Sequence, residues 1–91
     1  MSGASFFIRW TPTAQRDLRR LPEKIATAVV EFVYGSLADN PERVGRSLQL
    51  ELVGRHAARR GDYRVIYQID RPAGVVLIVH VDHRADVYRR V

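Results

Sequence analysis

The chain has 91 residues, 15 lysines plus arginines against 10 aspartates plus glutamates, and no cysteine. That length reads as one domain over residues 1–91, and the missing thiols exclude disulfides, thiolate metal sites and thiol nucleophiles. The formal net charge of +5 is compatible with a polyanionic partner; Lys24 is the only lysine, so guanidinium groups, which meet phosphate bidentately and stay protonated, carry nearly all of the positive charge.

No apolar run reaches transmembrane length, and the opening Met1-Ser2-Gly3-Ala4-Ser5 lacks the basic start and apolar stretch of a signal peptide. The expectation is a soluble cytoplasmic protein with no membrane partner. Phe6-Phe7-Ile8-Arg9-Trp10 is rich in strand formers. Thr11-Pro12 then supplies an N-cap and a first helical residue, and Ala14, Leu18 and Leu21 form one apolar stripe. Pro22 interrupts that helix. A second helix is predicted over residues 23–37, with Ile25, Val29, Phe32, Val33 and Leu37 at helical spacing. The two make a helical hairpin. Asn40 before Pro41 stops the second helix, and residues 42–47 read as loop.

Leu48, Leu50 and Leu52 alternate as in a short strand or an irregular packed segment, and Gly54 ends it. Residues 55–60 form a short polar strand, 62–70 (DYRVIYQID) a strong one, and 75–81 (VVLIVHV) a nearly continuous apolar one, separated by the turn residues Arg71-Pro72-Ala73-Gly74. Residues 84–90 are expected to add a short helical turn. The order β-α-α-β-β-β gives an α+β fold, a helical hairpin packed on a small antiparallel sheet.

Strand alternation puts Tyr63, Val65, Tyr67 and Ile69 toward the helices and Asp62, Arg64, Ile66, Gln68 and Asp70 on the open face. In the last strand, helix coverage suits Val75, Leu77, Val79 and Val81, leaving Val76, Ile78 and His80 on the open side. The pattern thus predicts a basic concavity floored by Ile66, Val76 and Ile78. Arg55, Arg59 and Arg60 would reach it from the preceding strand, and Arg84 and Arg89 from the tail. Neighbours on a strand face opposite ways, so at most one of Arg59 and Arg60 points into it.

Such a surface suits phosphodiester cleavage in RNA, where the 2′-hydroxyl attacks its own phosphate. The protein then aligns the chain, places fixed cations against the developing charge and stacks an aromatic ring on an unpaired base. No metal or cofactor is required. His56, His80 and His83 lack convincing metal spacing, although His83 has the chemistry of an acid or base. Neither a phosphate-binding glycine loop nor a hydrolase motif is present.

Gly61-Asp62-Tyr63-Arg64-Val65-Ile66-Tyr67 followed by His83-Arg84-Ala85-Asp86-Val87-Tyr88-Arg89 resembles the RelE/ParE superfamily of type II toxins, and Thr11-Pro12-Thr13-Ala14 with Leu18 and Leu21-Pro22 resembles its opening. The likeness spans roughly residues 6–91. It implies the fold just described and, for a RelE-like member, a ribosome-dependent endoribonuclease (an mRNA interferase) cutting mRNA in the A site without a metal. Arg64, Arg84 and Tyr88 match the family's catalytic positions, with Arg55 and Arg59 on the preceding strand; the general base is left open among His83, Tyr88 and a ribosomal group. The resemblance implies a neutralising antitoxin, the ribosome and mRNA as partners, and operator DNA bound through the antitoxin complex. ParE-like members share the fold but poison DNA gyrase, which is the alternative. The chain departs from the pattern in having no lysine before Gly61, in Ala57 and Ala58, and in Asp82, where a glycine is common.

Overall fold

A computed structural model of the chain describes residues 5–47 and 54–83. The expected strand β1 is Phe7–Trp10, followed by α1, Pro12–Arg20. The Thr11 hydroxyl caps α1 by accepting a 3.0 Å hydrogen bond from the Ala14 amide, and Pro12 fills the first helical position, where its missing N–H has no partner to lose.

Helix α2, Glu23–Phe32, widens into a π-helical turn, Val33–Leu37. Val29, Phe32, Val33 and Leu37 are buried, as their spacing predicts, and Ile25 packs against them. The stretch read as loop is more ordered than expected. Pro41, which closes one helix because its predecessor leaves helical space, also opens the single turn α3, Pro41–Val44, and β2 follows at Arg46–Ser47. The 48–52 leucines and the 84–90 tail lie outside the described residues.

The meander is as predicted: β3 is Arg55–Arg60, β4 Tyr63–Asp70 and β5 Val75–His83. Gly61, at φ 56°, sits in the two-residue loop that joins the directly paired Arg60 and Tyr63. The five-stranded sheet has the order β1-β5-β4-β3-β2. The α+β architecture is therefore the expected one, with a difference at one edge: β1 runs parallel to β5, so the sheet is mixed. No helix among the described residues is long and apolar enough to cross a membrane.

One irregularity decides which residues face the helices. Ile66 pairs with His80, but the next residue, Tyr67, pairs with Ile78, leaving Val79 as an extra residue in β5. The Thr11 hydroxyl donates to the Val79 carbonyl at 3.1 Å, fixing the bulge to the start of α1. Before the bulge Val76 and Ile78 are fully buried; after it Val81 is buried in their place. The expected phase is thus reversed for residues 75–78 and correct beyond. Val76 and Ile78 belong to the core, and the predicted floor of the concavity is reduced to Ile66.

Tyr67 is fully buried. Its hydroxyl donates to the Pro41 carbonyl, and its ring stacks on His56 with centroids 5.4 Å apart. Burial, with Glu42 nearby as the smaller cause, pushes its phenol up to about 12. The folded state therefore holds this proton more tightly than the unfolded chain. The resulting stability is complete below about pH 10 and is lost as pH rises toward about 12. Tyr67→Phe should cost about 1–2 kcal/mol at neutral pH, by deleting the hydrogen bond, and should flatten the alkaline fall. Urea midpoints measured from neutral pH upward test both effects. An unchanged alkaline slope in Tyr67→Phe would assign that fall to other groups, Tyr63 first, whose phenol burial also raises.

Candidate nucleic-acid interface

Cross-strand partners share a sheet face, so the register sorts the charged residues. On the face away from the helices four rows run across the strands, the last being Asp70, Val75 and Phe7. Arg59, Arg64 and Asp82 form the first; Arg46, Ala57, Ile66 and His80 the second; Arg55, Gln68, Leu77 and Arg9 the third. Successive rows are two residues apart, roughly 7 Å.

Arg59 stands directly opposite Arg64. Like charges in that position destabilise a sheet by about 0.2–1 kcal/mol unless an anion separates them. The partial answer here is Asp82 on the far side of Arg64, whose carboxylate accepts from the guanidinium at 3.0 Å. This ion pair joins Arg64 to Asp82 across the strands and not to Asp62 or Asp70 on its own strand segment. The Arg64 side chain remains 51% exposed. A guanidinium held on one edge by a carboxylate still presents donors to a second anion.

The structure separates Arg60 from the cluster. Its guanidinium carbon lies 4.7 Å from the centre of the Phe32 ring, on the helix side. By register His83 shares that side, in a row with Arg60 and Tyr63. Arg59 and Arg64 are directly paired, and Arg55 shares their face two rows away. Arg84, Tyr88 and Arg89 lie outside the described residues.

Two further arginines reach the open face that the sequence did not suggest. Arg46 enters through β2, a two-residue strand inside a supposed loop. Arg9 enters because β1 pairs parallel with β5 opposite Leu77. For Arg9 the alternation with Ile8 and Trp10 was a usable signal; for Arg46 nothing local was. His80 closes the second row, and its Nδ1 lies 2.8 Å from an Asp17 carboxylate oxygen on α1.

This face offers convergent cations and one imidazole on rigid strands, the elements of phosphate recognition. Comparison with known proteins identifies the family. Residues 8–88 match the family described as the ParE toxin of the type II toxin–antitoxin system parDE. The chain is 53% identical over 85 residues to toxin RelG of Mycobacterium tuberculosis, covering 93% of this chain and 98% of that one. It is 54% identical over 84 residues to toxin RelE of the same organism, covering 92% and 87%. The crystal structure of the M. tuberculosis RelBE2 toxin–antitoxin complex contains a chain that superposes with a TM-score of 0.89 at 50% identity, covering 92% of this chain and 97% of that one. The isolated Escherichia coli RelE toxin shares the fold, with a TM-score of 0.72 at 17% identity, covering 94% of each chain. The protein is a member of the RelE/ParE superfamily, a toxin of the type II toxin–antitoxin class.

Proposed function

We propose that this toxin is a ribosome-dependent, metal-independent endoribonuclease that cleaves mRNA in the A site and stops translation in the cytoplasm. The observation that supports this most is the row Arg59–Arg64–Asp82, in which two guanidiniums face each other on an exposed sheet face. A pair that costs stability and is half open to solvent has an evident use in gripping phosphate.

In this reading Arg64 stabilises the charge that develops as the 2′-oxygen attacks phosphorus, and Arg84 supplies a second cation. Arg59, Arg55 and Arg89 hold flanking phosphates, with Arg46 and Arg9 extending the track. Tyr88 stacks on the substrate base. Arg60, on the helix side, is left a contact to RNA outside the cleft, and His83 in the same row is a weaker acid–base candidate than its sequence position suggests. A cognate antitoxin neutralises the toxin by covering α2 and the basic face, as its relative's crystallisation in a toxin–antitoxin complex suggests. That complex would act on operator DNA.

The test incubates purified protein with programmed ribosomes and maps mRNA 5′ ends, with a gyrase supercoiling assay in parallel. Cuts within the A-site codon are expected. The family match carries the ParE description, so gyrase poisoning is the second reading; intact mRNA with blocked supercoiling would establish it instead.

A further inference from the structure

We infer that His80, held by Asp17, is the general base of the proposed ribonuclease site, an inference that rests on the reading above. His80 is not an isolated surface imidazole. Its Nδ1 lies 2.8 Å from Asp17 Oδ2, and the same oxygen accepts the Val81 amide at 3.0 Å. Asp17 is largely buried, with its side chain 16% exposed, whereas His80 is 45% exposed. The carboxylate is thus fixed by a backbone donor where β5 extends past the end of β1, and it selects the tautomer with the proton on Nδ1. Nε2 is left as the lone-pair nitrogen, with no hydrogen bond among the described residues. His80 shares the open face with Ile66 across the strand, and Arg64 is its diagonal neighbour at roughly 7–8 Å.

This arrangement combines a proton acceptor oriented by a carboxylate with a cation aimed at phosphate one row away. Nε2 takes the proton from the RNA 2′-hydroxyl as the 2′-oxygen bonds to phosphorus. The bond from phosphorus to the 5′-oxygen breaks, leaving a 2′,3′-cyclic phosphate and a 5′-oxygen that takes a proton from water. Asp17 stabilises the imidazolium so formed. The charged and titratable groups around His80 are Asp17 on α1, Arg64 on β4, Asp82 and His83 on its own strand, and Arg59 and Arg9 farther along the face.

The experiment measures single-turnover cleavage on programmed ribosomes against pH for the wild type, His80→Gln and Asp17→Asn, with thermal unfolding of each. Wild-type cleavage should fall as the pH is lowered, as expected of a histidine base. His80→Gln should be slower by about 10²-fold or more and lose that dependence. Asp17→Asn can still accept the Val81 amide and should fold, yet be slower by about 10-fold or more. Added imidazole should partly restore His80→Ala, which a merely structural histidine would not allow. Folded His80→Gln with the wild-type rate and pH profile would overturn the inference while leaving the nuclease reading intact. A wild type that leaves mRNA uncut would overturn the nuclease reading itself, and this inference with it.

Discussion

Arg64→Ala should leave the fold standing and lower ribosome-dependent cleavage by about two to three orders of magnitude, the usual effect of removing one donor from developing anionic charge. The structural cost is small because the lost partner is a half-exposed ion pair with Asp82, and such pairs contribute about 0–1 kcal/mol. Removing Arg64 also relieves its repulsion with Arg59. Arg64→Lys keeps the charge but loses the planar fork, and should fall between the two. Arg59→Ala makes the same point from the other side: it should be no less stable than the wild type, while cleaving less well. Thermal unfolding beside 5′-end mapping separates these effects. If Arg64→Ala cuts the A-site codon at the wild-type rate, this face does not carry the chemistry.

The largest effect on folding is expected at a residue with no charge. Gly45→Ala should destabilise the protein by about 3 kcal/mol, the upper range for forcing atoms into a packed interior. The backbone there is ordinary, with φ −134° and ψ −178°, so space and not conformation is at issue. A Cβ on Gly45 would meet the Tyr67 hydroxyl and lie 2.8 Å from the Ala57 carbonyl oxygen. Neither neighbour can retreat easily. Ala57 is held in β3 between β2 and β4, and Tyr67 is held by its bond to Pro41 and its stack on His56. For a chain of this size, 3 kcal/mol lowers the melting temperature by roughly 12–24 °C. Tyr67→Phe removes the atom most in the way, so in the double variant the two costs should sum to less than their separate values. Strict additivity in that cycle would mean that the hydroxyl is not the obstacle.

Most of the element order was legible in the chain because it is written in local signals. Thr11-Pro12 caps α1, Val29, Phe32, Val33 and Leu37 keep helical spacing, and DYRVIYQID alternates so clearly that Val65 and Tyr67 are core and Arg64 is not. The motif around Arg64 also carried the family, which the comparisons support. What the sequence by itself determined, then, was the elements other than α3 and β2, the superfamily and the placing of Arg64 on the open face.

Tertiary structure decided which residues stand around that arginine. In VVLIVHV the first five residues are all apolar, so no polar residue marks which side of the strand is wet. The bulge at Val79, fixed by Thr11 sixty-eight positions away, turns Val76 and Ile78 into the core and leaves His80 and Asp82 on the face of Arg64. The Asp17–His80 contact spans 63 positions and the Arg64–Asp82 contact 18. Arg46 and Arg9 reach the same face only through strand pairing. A local pattern specifies the period of a strand; its phase and its neighbours are set by long-range hydrogen bonds, which no short window of sequence contains.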